Sequence, residues 1–270
     1  MQKELLAPLA VSIEAKAYNA GEGSAAAFVP SPFLFCLDPL LIRPGYSSPR
    51  RSAKIVAMGS LQEQLDSITA MTRELVQAER LAVSENAIAD LFATGIEERI
   101  LKSGQPAPDF ELESNNGHIV RSADLLALGA LVVKFFRGRW CAYDVTELEA
   151  WRDLHARLRS MGAFFVAVSA QTVQQNDFFV AQHDLPFPIL RDERCQLAER
   201  FGLAYRVPEH MRDYYRSILV NVPYVNGEES WRLPLAAAYV IGRDGRILFA
   251  EAHADYRVRP EPEDVLAALA

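Results

Sequence analysis

VVKFFRGRWCAYDVTELEAW, Val132 to Trp151, joins an apolar run to a polar turn, a Trp-Cys pair and a segment with helical spacing. The run from Leu131 to Phe136 has the length and apolar content of a buried strand. Val145, Leu148, Trp151, Leu154 and Leu158 then recur at helical intervals. A strand that feeds a tight turn and then a helix sets Cys141 at the first turn of that helix. There the unpaired backbone N–H groups and the helix dipole stabilise an anion. Such positions bring a thiol from about 8.5 into a range of roughly 3.5–7.5. Arg137 and Arg139, in the same turn, add to that pull and offer donors for the oxygens of a small oxidant. Asp144 works against it if its carboxylate approaches the sulfur, because like charges disfavour a thiolate. Its other role is a first-turn acid that complements the helix dipole. For Cys141 the competing reading is structural, since free cysteines are among the most buried residues.

The bulk of the sequence limits what surrounds this segment. The chain has 270 residues, 50% of them hydrophobic, which suffices for one full core and an extension. A net charge of −7 with both signs interspersed argues against a nucleic-acid surface. No apolar run is long enough to span a membrane, and the N-terminus is a poor secretory signal. Cys36, Cys141 and Cys195 lie too far apart to read as a disulfide framework, which points to a reducing, cytoplasmic compartment. His118, His155, His183, His210 and His253 show no metal-ligand spacing, and the glycines form no phosphate loop. Neither a metal nor a cofactor is expected.

Residues 1–57 are rich in proline and in Ala, Gly and Ser, and carry no clean period. They read as a disordered or mis-called N-terminal extension, with Met58 as the true start. Residues 58–100 read as an N-terminal helical arm, because Leu61, Leu65, Ile68, Leu75 and Ala82 lie near one face. One long helix or two shorter ones fit that pattern. The arm serves as a packing face or a homodimer contact, with no site chemistry of its own. Residues 101–270 form the main domain. Gly104–Leu112 is extended, Asn115-Asn116-Gly117 is a hairpin turn, and Ser122 and Asp124 are placed to cap a short helix. Strands follow at 164–169 and 187–190, with helices at 172–183 and 194–201. Tyr205–Tyr215 is a polar, aromatic insert, read as a lid or an oligomer surface. A hairpin across Arg243-Asp244-Gly245 and a helix over 263–269 close the chain.

Strands alternating with helices, ended by a hairpin and a helix, give an α/β protein with a central mixed sheet flanked by helices. That order spells the thioredoxin fold. On these residues the chain resembles the alkyl hydroperoxide reductase and thiol-specific antioxidant family, and within it the bacterial peroxiredoxin-like branch. FFRGRWCAYDVTELEAW resembles the family's active-site segment, commonly R-G-x-W-C-P-Y-C-x-x-E-L. GQPAPDFEL resembles its entry strand, PFPILRDERCQLAERFGL a later strand–helix unit, and AYVIGRDGRILFAEAHADYRVRPEPEDVL the final hairpin and helix. The resemblance implies thiol-based reduction of hydrogen peroxide or organic hydroperoxides, recycled by a thioredoxin-like or glutathione-like donor. It places the catalytic residues at Cys141, Arg137 and Asp144. The last stands where the motif usually has its second cysteine. Ala142 and Ala236 stand where prolines are usual, and Arg232 lies a few residues early for the family's peroxide-contacting arginine. With one motif cysteine, an external thiol would resolve the oxidised sulfur. Cys195 either forms a disulfide with Cys141 or is a packed small side chain. The alternative to a peroxidase is a thioredoxin-fold binding or scaffold protein that has lost the chemistry.

Overall fold

The computed structural model describes residues 59–269; the extension expected over residues 1–57 lies outside them. The arm is two helices, α1 (Leu61–Leu75) and α2 (Ala78–Ala93), followed by the single turn α3 (Ile96–Arg99). Ser60 starts α1 with a capping box, its hydroxyl accepting from the Glu63 amide while the Glu63 carboxylate accepts from the Ser60 amide. Val76 is extended and ends α1, so the continuous apolar spacing does not become one helix.

After the arm come the hairpin strands β1 (Glu111–Glu113) and β2 (Ile119–Arg121), then α4 (Ser122–Leu128). Ser122 does not cap α4 as expected: it is the helix's first residue, and its hydroxyl accepts from the Phe110 amide instead. The central strand β3 (Leu131–Phe135) leads into α5 (Ala142–Ser160). The strand β4 (Phe164–Ser169), α6 (Val173–His183) and β5 (Ile189–Arg191) complete a second unit. The helix expected over 194–201 splits into a short 3-10 turn, Glu193–Cys195, and α7 (Gln196–Arg200), because Arg194 and Cys195 both take left-handed backbone angles. Gly202 ends it at φ +76°, where a Cβ would stand 2.1 Å from the Arg99 carbonyl oxygen.

The insert is ordered: β6 (Ala204–Arg206), α8 (Glu209–Ser217), α9 (Val222–Asn226) and β7 (Arg232–Pro234), with β6 and β7 paired antiparallel. The chain closes with β8 (Ala237–Ile241), β9 (Ile247–Ala252) and α10 (Pro262–Ala267). Pro262 lies inside α10, one residue ahead of the expected start, since a first-turn proline needs no N–H donor.

The main sheet runs β5-β4-β3-β8-β9. β3, β4 and β5 are parallel, and β8 and β9 join antiparallel. The strand β3 is buried throughout. One face of the sheet packs Val133 and Phe135 with Phe201 and Tyr239; the other packs Val132 and Phe136 with Leu148, Trp151 and Phe179. Such two-faced burial explains why the strand reads as a continuous apolar run. This is a thioredoxin-like sheet, with the β3–α5 turn at the C-terminal end of its central strand. Among the described residues no helix is long and apolar enough to cross a membrane.

Candidate active site

The turn from Phe136 to Cys141 is shaped by its own sequence. Gly138 sits at φ +157°, and a Cβ there would stand 2.5 Å from the Trp140 ring nitrogen. The Cys141 amide donates to the Gly138 carbonyl at 3.0 Å, closing the turn. Cys141 is the extended residue that precedes α5, one position ahead of the first turn in which the sequence placed it.

Asp144 organises this turn from below. It is fully buried. Its Oδ2 accepts from the Arg137 amide at 2.9 Å and the Gly138 amide at 3.3 Å. Its Oδ1 accepts from Arg259 Nη2 at 2.7 Å. The Arg259 Nε also donates to Glu147 Oε2 at 2.7 Å, and Lys134 Nζ lies 2.6 Å from Glu147 Oε1. Four ionisable side chains, Asp144, Arg259, Glu147 and Lys134, therefore stack beneath the turn, all buried. Paired charges of this kind are tolerated inside a protein only with close partners and further hydrogen bonds. Sequence reading found Asp144 but missed Arg259, Glu147 and Lys134. A lysine within an apolar strand, three residues before the Arg137 turn, was the available signal.

Arg137 turns its guanidinium onto the sulfur, Nη2 to Sγ being 2.9 Å. Its Nη1 lies 3.4 Å from the Tyr215 hydroxyl, and its face stacks 3.8 Å from the Tyr256 ring centre. Arg139 points elsewhere: its Nε donates to Gln175 and its amide to Gln171. Arg232 is also outside the site, paired with Glu199 at 2.7 Å.

The sulfur itself is covered. Cys141 is 3% exposed and packs with Leu61, Leu65 and Tyr143. The arm was expected to carry no site chemistry, yet α1 supplies that cover. The Thr69 and Tyr143 hydroxyls meet at 3.0 Å, and the Glu261 carboxylate accepts from the Leu61 and Gln62 amides at 3.1 and 2.8 Å. The consequence reverses the expected direction of the thiol. Burial pushes the Cys141 thiol up; Arg137 pulls it back, Asp144 pushes it further up, and the balance is a raised value. Position at the helix start does not compensate for lost hydration.

Cys195 belongs to the core cluster with Val133, Phe135 and Phe201, apart from the cluster holding Cys141. Burial pushes its thiol well up. Both described cysteines are free thiols. The insert arginines do not make an open basic patch. Arg212 and Arg216 stack near the Trp231 ring and pair with Glu209 and Asp213. Tyr205 and Tyr215 instead face inward beside Arg137. Among the described residues no cluster of His, Cys, Asp and Glu is arranged to hold a metal.

The site thus places a cysteine just before a helix, after the central strand of a thioredoxin-like sheet, with an arginine on its sulfur. The chain belongs to the AhpC/TSA family, whose model matches residues 103–250, more than half its length. It is 31% identical to peroxiredoxin Bcp of Bacillus subtilis over 103 residues, which are 38% of this chain and 65% of that protein. It is 21% identical over 152 residues to the thiol-disulfide oxidoreductase ResA of Bacillus thuringiensis, 56% of this chain and 70% of that one. The solved structure of peroxidoxin BcpB from Mycobacterium tuberculosis superposes with a TM-score of 0.49 at 22% identity, over 63% of this chain and 96% of that one.

Proposed function

We propose that this chain is a one-cysteine thiol peroxidase acting through Cys141. The observation that carries the reading is the 2.9 Å contact between Arg137 Nη2 and the sulfur. A fixed, permanently charged donor at that distance favours a thiolate once water reaches it, and then stabilises negative charge on a departing oxygen.

The ionised sulfur attacks the terminal oxygen of a hydroperoxide. An S–O bond forms, the O–O bond breaks, and two electrons pass from sulfur to oxygen. The leaving alkoxide or hydroxide takes up the proton that the thiol gave away. Thiol and hydroperoxide thus become sulfenic acid and alcohol, or water for hydrogen peroxide. Two equivalents of an external thiol, thioredoxin-like or glutathione-like, then regenerate Cys141 and release water and a disulfide. Cys195 takes no part. Asp144 positions the turn and does not touch the peroxide. Access requires α1 to shift from its place over the sulfur. The free thiols suit a reducing compartment, the cytoplasm, and the arm's outer face suits a homodimer contact.

The test is intact-mass analysis after stoichiometric peroxide in the presence of a sulfenate trap. One adduct is expected, on Cys141, forming far faster than on a free thiol and absent in Cys141→Ser. A folded protein without that adduct turns the reading to its rival, a binding protein on a thioredoxin fold. Burial of the sulfur and the carboxylate at position 144 favour that rival.

A further inference from the structure

A cavity of about 120 Å3 between α2 and α8 reaches the far side of Arg137. Its size approaches the roughly 150 Å3 of an apolar cavity that holds benzene. Ala87, Leu91, Val207 and Met211 give it apolar walls. Buried Arg137 stands at its inner end and exposed Arg206 at its mouth.

Arg137 is the anomaly. A guanidinium stays charged at any ordinary pH, and a buried charge calls for an anion. Yet the nearest carboxylate oxygen, Asp144 Oδ2, is 4.0 Å from Arg137 Nε, and that Nε has no hydrogen-bond partner. Asp144 is already committed to two backbone amides and Arg259, and Glu147 to Arg259 and Lys134. No other anion surrounds the guanidinium: beside it are the Tyr205 and Tyr215 hydroxyls, the Trp140 and Tyr256 rings, a sulfur whose proton burial retains, and a second cation, Arg259.

We infer that this cavity binds a short amphipathic monocarboxylate, its head on Arg137 and its apolar tail between α2 and α8. One guanidinium beside tyrosine hydroxyls suits a single negative charge and the bidentate geometry of a carboxylate. The bound head draws Nη2 from the sulfur, so ligand and thiolate compete for one donor. The inference goes beyond the peroxidase reading and does not depend on it.

Hexanoate is the probe; hexanol lacks its charge and acetate its tail. Hexanoate raises the thermal midpoint in a saturable way. It also slows iodoacetamide labelling of Cys141. Hexanol and acetate bind roughly tenfold more weakly or worse. Ala87→Trp, which fills the cavity, abolishes the response, and Arg137→Met leaves hexanoate no tighter than hexanol. Equal affinity for hexanoate and hexanol overturns the inference, as does equal affinity for acetate. So does saturation untouched by either variant, or no saturable response in the wild type. None of these readouts involves peroxide, so a missing sulfenate adduct and a missing hexanoate response fail separately.

Discussion

Cys141 is held between burial, one anion and two cations, Arg137 and the weaker Arg259. Removal from water opposes its ionisation, Asp144 opposes it further, and Arg137 favours it. Arg137→Met deletes the larger favourable part. The pH–rate profile for alkylation of Cys141 is expected to move up, with a loss of rate at fixed pH of roughly tenfold. An unmoved profile would show that the 2.9 Å contact does not act on the sulfur. Asp144→Asn separates two roles. It leaves Arg259 buried without its full counter-charge, a loss on the order of 3–5 kcal/mol that calorimetry reads as a lower melting temperature. The same change removes the like charge near the sulfur, so the folded fraction alkylates faster. A variant that melts normally would sink the role of Asp144 as the buried counter-charge to Arg259.

At the scale of elements, the proposed route to the sulfur runs through the place α1 occupies. Its first amides rest on Glu261, and Leu61 and Leu65 share one buried cluster with Cys141. Glu261→Gln weakens a carboxylate–helix contact worth about 1 kcal/mol, which corresponds to roughly fivefold faster labelling of Cys141 by iodoacetamide. Unchanged labelling would mean that α1 does not limit entry. The elements themselves were largely readable. The buried strand at 131–135, the one at 164–169 and the hairpin at 237–252 declare themselves by apolar runs and turn residues. The site was readable only where local sequence makes it. Cys141 and Arg137 share one turn, so spacing reveals them. Arg259, Glu147 and the covering leucines come from remote segments, and no local period encodes a contact between Leu61 and Cys141. Charge accounting offered one clue, since Lys134 inside a buried strand demands an acid somewhere in the fold. The expected low thiol value failed for the same reason: helix position is local, whereas burial is a property of the whole packing.

The whole molecule carries these raised thiols as a dependence of stability on pH. An unfolded thiol titrates near about 8.5, whereas burial holds Cys141 and Cys195 higher in the folded chain. Above that pH the unfolded chain has lost protons that the folded chain keeps, so unfolding gains and stability falls. The contribution is intact below about 8.5 and declines as pH climbs toward the folded values. Tyr205, Tyr215 and Tyr256, also raised by burial, extend the decline once unfolded tyrosines ionise near about 10. Thermal melts between about pH 7 and 9.5 are expected to show a falling midpoint, with a shallower slope in Cys195→Ala. A level wild-type curve would contradict the buried, protonated state of both sulfurs. A further consequence follows from where α1 and α2 lie. They span residues 61–93, whereas the family match begins at residue 103. The cover over Cys141 and one wall of the α2–α8 cavity thus lie outside the segment that the family model matches. Exchanging them for another pair of helices would change which molecules are admitted while the sheet and its ion stack keep their form.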